Sequence, residues 1–149
     1  DPSLPMTFAD PDLLKQVYFN IILNGAQAMD GKGTLTIESR NVDQGKTIEI
    51  RIKDTGKGIP ERDLPRLFDP FFTTKEKGTG LGLALVYGIV SKHKGAVSVE
   101  SRLGEGATFI ILLPVLGQKE WLQGESPIVE FKPVSEGKDY EVQRKDLIG

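Results

Sequence analysis

The spacing of apolar residues changes several times along the chain, and each change marks an element. Leu13, Val17, Ile21 and Ala28, flanked by Leu14, Ile22 and Leu23, recur at helical spacing and predict a helix with a broad apolar face up to about Met29. Asp10 suits the N-cap, Pro11 the first helical position where its missing N–H costs nothing, and Gly31 and Gly33 the stop. Leu35 and Ile37 then alternate with Thr34, Thr36 and Glu38, and Ile48, Ile50 and Ile52 with Glu49, Arg51 and Lys53. Two half-buried strands therefore form a hairpin about a polar turn containing Gly45. A glycine-rich loop follows, then a short helix over Glu61 to Leu67 despite Pro65, then an aromatic cluster at Phe68, Phe71 and Phe72. Thr73 to Gly80 is polar and glycine-bearing, the composition of a mobile loop. From Leu81 a second helix begins, with Leu81, Leu85 and Ile89 and with Leu83, Val86 and Val90 supplying its apolar side, and it closes near Lys92 to Lys94 with Gly95 as its stop. Val97 and Val99, joined through Leu103 to Gly106 with Thr108 to Leu113, make a second hairpin. Helices packed on a largely antiparallel sheet of four or five strands define an α+β, two-layer sandwich. From Gln118 the pattern decays, although Ile128 to Val134 alternates enough for an edge strand, and Trp121 is free to pack on the sheet or on a partner.

The chain has 149 residues, and its 21 acidic and 19 basic residues are intermixed for a net charge of −2. One domain of ordinary composition fits that length, and neither disorder nor coating of nucleic-acid phosphates is favoured. The lack of cysteine removes disulfide scaffolds, Cys-ligated metals and thiol catalysis. No apolar run approaches the roughly 20 residues of a membrane span, and no signal-peptide pattern opens the chain. Because Asp1 stands where an initiator methionine would, the chain is expected to be an excised piece of a longer one.

Three stretches carry candidate chemistry. Gln16, Asn20, Asn24 and Gln27 lie on one stripe of the first helix. A solvated face is one reading. The other is that Asn20 and Asn24 present two neutral oxygen donors a turn apart, suited to Mg²⁺ that keeps waters and takes its other ligands from phosphates. Asp54 ends a strand and is followed by Gly56 and Gly58, which is either a tight turn or a fixed acceptor for an exocyclic amine beside closely approachable backbone. Gly78-Thr79-Gly80-Leu81-Gly82 opens a helix, where backbone N–H groups and the helix dipole favour an anion. Leu83 stands where a dinucleotide fingerprint needs its third glycine, and no P-loop lysine is present.

Taken in order, these residues resemble the catalytic and ATP-binding domain of sensor histidine kinases, within the wider group that includes type II topoisomerases, Hsp90-type chaperones and mismatch-repair ATPases. Asn20 to Ala28 matches the N box, Asp54 to Ile59 the G1 box, Phe68 to Phe72 the F box and Gly78 to Leu83 the G2 box. The resemblance implies a Bergerat ATP-binding fold, with a mixed, mainly antiparallel sheet of about five strands covered on one face by about three helices. It implies ATP and Mg²⁺ as ligands. Asn20 and Asn24 are then the catalytic and metal-ligating pair, Asp54 accepts the adenine amino group, and Gly56, Gly58 and Ile59 shape the adenine pocket. Phe68 and Phe72 anchor a lid ending at Gly78, and Thr79, Gly80, Leu81 and Gly82 flank the phosphates. Lys75 and Lys77 either neutralise polyphosphate or are solvated. Two departures stand out. Many relatives carry a basic residue where this chain has Gln27, and relatives that direct water at ATP carry Glu where it has Asn20, an amide that cannot take a proton.

The resemblance further implies transfer of the γ-phosphoryl group to a histidine on a separate dimerisation domain of the same parent protein, and thence to a response-regulator receiver domain. Residues 1–9 would be the linker from the upstream dimerisation helices, 10–117 the ATP-binding domain and 118–149 a tail. The isolated domain is expected to be monomeric and cytoplasmic, without contact to nucleic acid or membrane, its parent homodimeric and either soluble or membrane-anchored. The sole histidine, His93, is expected to be structural, a partly positive imidazole at the negative end of the second helix. A stand-alone serine kinase of the anti-sigma-factor type and a nucleotide-sensing module without transferase activity are the alternatives.

Overall fold

The computed structural model describes residues 1–123 together with residues 128–133 and 140–145. Helix α1 (Pro11–Ala28) begins as its N-cap dictates, with Asp10 Oδ1 accepting from the N–H groups of Asp12 at 3.0 Å and Leu13 at 3.1 Å. Val17, Ile21 and Gly25, four residues apart, form its buried line. Strands β1 (Leu35–Val42) and β2 (Thr47–Asp54) pair as the first hairpin, and β3 (Ala96–Arg102) and β4 (Gly106–Pro114) as the second. The hairpins join through β2 and β4, giving the order β1-β2-β4-β3 with every neighbour antiparallel. The register sets Ile48 opposite Leu113, Ile50 opposite Ile111 and Ile52 opposite Phe109, so the inward residues of the two central strands stand in rows. Helix α2 (Gly82–Lys92) lies beside α1 and presents Val86, Ile89 and Val90 to those rows. Each such fully buried aliphatic side chain contributes about 1.5–3 kcal/mol.

The main sheet has four strands, within the four or five expected, and is antiparallel throughout rather than mixed. The edge strand expected over Ile128 to Val134 forms as β5 (Ile128–Pro133), and it pairs with β6 (Tyr140–Lys145) in a separate two-stranded sheet rather than with the edge of the main one; Val134 lies outside the described residues. The outer face of the central strands is also less exposed than simple alternation implies. Thr47, Glu49, Ile110 and Leu112 are all buried, and ion pairs cross that face from Arg40 to Glu49 at 2.6 Å and from Arg51 to Glu100 at 3.0 Å. The helix expected over Glu61 to Leu67 is a tighter 3-10 helix (Glu61–Arg66). Pro65 has no N–H to donate, and the Asp63 and Leu67 amides bond three residues back, to Pro60 and Leu64.

The end of α2 is a Schellman closure, in which the Lys94 N–H reaches Ser91 O at 2.9 Å and the Gly95 N–H reaches Val90 O at 3.0 Å. Lys94, not Gly95, takes the left-handed conformation, with φ 59°. Gly95 is needed for close approach instead, since a Cβ there would stand 2.4 Å from Leu112 O. His93 precedes this turn and is only 2% exposed. Its Nε2 accepts from the Asp10 N–H at 3.0 Å while Nδ1 faces Ile89 O at 2.8 Å, a pattern that requires the neutral ring protonated on Nδ1. The partly positive imidazole expected from the helix dipole is therefore not what the fold uses. The ring also packs 4.9 Å from that of Trp121 in the short helix α3 (Gln118–Gln123), so His93 ties together the start of α1, the end of α2 and α3. Upstream, Thr7 and Phe8 run along the chain that leaves β4, through bonds to Pro114 and Leu116.

Candidate nucleotide site

At the other end of the sandwich the carboxyl end of β2, the later turns of α1 and the start of α2 surround a cavity of about 740 Å³. Asp54 lies at its floor, 3% exposed. Its Oδ1 accepts from the Gly56 N–H at 2.8 Å and faces the Ala107 N–H at 3.4 Å, which fixes the carboxylate and leaves Oδ2 without a protein partner among the described residues. The loop after it is fastened on both sides. The Lys57 N–H bonds to Ala28 O, Lys57 O accepts from Gly104, and the Ile59 N–H bonds to Ser101 Oγ. Gly58 has φ 70°, and a Cβ there would come within 2.0 Å of Arg102 O, so this position admits no side chain.

Asn20 and Asn24 reach the cavity from successive turns of α1. The Nδ2 group of Asn20 donates back to Gln16 O at 2.8 Å, and its Oδ1 lies against Gly82, 2.8 Å from where a Cβ would stand. Asn24 Oδ1 accepts from the ammonium of Lys75 at 2.7 Å, and Gln27 Oε1 accepts from the same ammonium at 2.5 Å. Burial, and secondarily the charge of Lys57, pushes the Lys75 pKa below that of an ordinary lysine. Residues 71–80 form a loop closed at its neck by the Phe71 N–H on Gly80 O at 2.9 Å. Within it Thr73 Oγ1 accepts from the Lys75 N–H and Lys75 O from the Gly78 N–H.

Twelve of the expected site residues line the cavity, namely Asn20, Asn24, Asp54, Gly58, Ile59, Phe72, Lys75, Lys77, Gly78, Thr79, Gly80 and Gly82. Gly56, Phe68 and Leu81 do not. Gly56 sits behind Asp54 and holds its oxygen, Phe68 packs against the core with its ring 6.0 Å from Tyr87, and Leu81 precedes α2 with its side chain 45% exposed. Lys57, Ala107 and Phe109 line the cavity without having been expected there. Lys57 was legible as the residue between two loop glycines, whereas the other two belong to the apolar pattern of β4 and are brought here only by its pairing with β2.

This donor set fits Mg²⁺ carried in with phosphates. The Asn24 oxygen already faces the cavity and accepts a cation, yet no cluster of three acidic or histidine ligands exists among the described residues, so an ion here would keep waters and ligand oxygens. The cavity thus offers a fixed carboxylate acceptor at its floor, and amide oxygens, lysines and a helix N-terminus at its mouth.

A family model described as histidine kinase-, DNA gyrase B-, and HSP90-like ATPase matches residues 9–117. The chain is 43% identical over 123 residues to the sensor histidine kinase ZraS of Klebsiella oxytoca, covering 83% of this chain and 26% of that protein. It is 43% identical over 113 residues to sporulation kinase E of Bacillus subtilis (strain 168), covering 76% and 15%. It therefore spans about a quarter or less of the length of these curated relatives. Among solved structures it is similar to the mycobacterial sensor histidine kinase MprB, with TM-score 0.67, 29% identity, and 75% of this chain and 76% of that one covered. It is likewise similar to full-length ShkA in complex with AMPPNP, with TM-score 0.68, 32% identity, and 76% and 24% covered. The serine-kinase and non-catalytic alternatives are not favoured by these relatives. The chain belongs to the histidine kinase-, DNA gyrase B- and HSP90-like ATPase family, as a catalytic domain homologous to those of sensor histidine kinases.

Proposed function

We propose that this domain binds ATP with Mg²⁺ and transfers the γ-phosphoryl group to a histidine on a separate dimerisation domain of its parent protein. Asp54 Oδ2 receives the adenine amino group, and Gly58 and Ile59 form the wall beside it. Lys75, Lys77 and the turn at Gly80 to Gly82 hold the phosphates, and Asn20 and Asn24 supply oxygens to the ion. When bound, Mg²⁺ neutralises charge on the phosphate oxygens. The chain's own task is positioning and electrostatic complementarity, as phosphoryl transfer requires.

The observation that carries this reading over water-directed hydrolysis is the chemistry of Asn20. Its Nδ2 group is committed to Gln16 O, and its oxygen takes no proton from water. The acceptor is not His93, which is 2% exposed with both ring nitrogens engaged. On this reading residues 1–9 link to the dimerisation helices, residues 10–117 are the nucleotide-binding unit, and the phosphoryl group passes on to a receiver domain. The domain is read as cytoplasmic, and no helix among the described residues is long and apolar enough to cross a membrane. Calorimetric titration with ADP and with a non-hydrolysable ATP analogue, with and without Mg²⁺, tests the site. Saturable binding that the analogue makes tighter with Mg²⁺ supports it, and absence of binding by folded protein refutes it.

A further inference from the structure

The two bonds from Lys75 cross from the loop to α1, between residues 51 and 48 positions apart in sequence. They land on the oxygen of Asn24, which the reading above assigns to the metal, and on that of Gln27, one turn further along the helix. We infer that Lys75 is a built-in cation that latches the loop to α1 by occupying the metal's amide oxygen, so that metal-bound nucleotide enters only by displacing it. This inference rests on the nucleotide reading of the site.

The geometry is specific. An ammonium 2.7 Å from Asn24 Oδ1 fills the approach that a divalent ion would take at about 2.0–2.1 Å, and two cations cannot share it. The loop presents that ammonium in a fixed place, because the Lys75 N–H and C=O are both bonded inside the loop, to Thr73 and Gly78, and the neck is tied between Phe71 and Gly80. Gln27 is the positioning residue: an uncharged acceptor three residues after Asn24 adds the second arm, where a basic side chain would repel Lys75 instead. Once displaced, the ammonium stays at the mouth of the cavity, free to meet the phosphates that arrive with the ion.

The test uses the full 149-residue chain as wild type, Gln27→Met and Lys75→Met, each checked for native circular dichroism. Gln27→Met removes one arm without changing any charge. Release of the latch raises the binding-competent fraction, so this variant is expected to bind Mg²⁺-ADP about two- to fivefold more tightly. In the ligand-free chain, both variants are expected to speed amide hydrogen exchange across residues 73–80 about three- to tenfold. Unchanged or weaker Mg²⁺-ADP binding by Gln27→Met, with exchange at the wild-type rate, overturns the latch while leaving the nucleotide site intact. Failure of the wild type to bind Mg²⁺-ADP at all overturns the nucleotide reading and the displacement together.

Discussion

Asp54 carries two obligations on two oxygens. Oδ1 holds the Gly56 and Ala107 N–H groups, while Oδ2, which has no protein partner among the described residues, is the atom proposed to meet a ligand. Asp54→Asn can keep the first by turning its carbonyl toward the backbone, but it then sets an NH₂ where the ligand's amino group arrives, donor against donor. ADP affinity is expected to fall about ten- to hundredfold, the worth of a hydrogen bond to a charged group, with only a small drop in melting temperature. Asp54→Ala abandons both obligations and is expected to lose about 1–3 kcal/mol of stability as well, measurable by urea titration. The Gly56 bond was legible in the sequence because a carboxylate at a strand end followed by spaced glycines is a local pattern, whereas the approach of Ala107 depends on the pairing of β4 with β2. The contact of Lys75 with Asn24 and Gln27 was not legible. Its partners lie in a distant helix, and which of two loop lysines reaches them is decided by the Thr73 and Gly78 bonds that shape the loop.

At the scale of elements, α1 is fixed at its start by a residue used twice. The Asp10 carboxylate caps the helix, and its backbone N–H donates to His93 at the end of α2. Asp10→Ala removes only the first, and the expected cost is about 0.5–2 kcal/mol in chemical denaturation, with nucleotide binding retained. Period alone identified α1, α2 and both hairpins, since a buried face on one side forces alternation or helical spacing. It misplaced what depends on neighbours. The terminal strand carried a strand's alternation but no indication of its partner, which is β6. The buried outer face at Glu49 is compatible with a carboxylate only because Arg40 and Arg51 reach it, and a charged residue in an alternating strand otherwise reads as exposed.

For the whole molecule, the match to the family ends at residue 117, yet Trp121 beyond it packs on His93. A chain ending at Gly117 is expected to keep nucleotide binding while losing the aromatic pair, worth about 0.5–1.5 kcal/mol. That corresponds to a fall of roughly 2–6 °C in melting temperature by calorimetry. The intact chain incubated with radiolabelled ATP and Mg²⁺ is expected to stay unlabelled, and acid-labile label is expected only when the parent's dimerisation domain is added. Label on His93 would contradict both its burial and its bonds.

The contact between Gly82 and Asn20 has a further consequence. With no Cβ between them, the first residue of α2 rests directly on the amide that faces the cavity, so nothing compliant separates the turn proposed to hold phosphates from the amide proposed to meet the ion. Their separation is inherited from how two helices mesh at Val17, Ile21, Val86 and Val90, deep in the interior. The mouth of the cavity is thus machined by the core, and an error in packing one or two turns away arrives there as a change in the gap that, on the proposed reading, a phosphate chain would span.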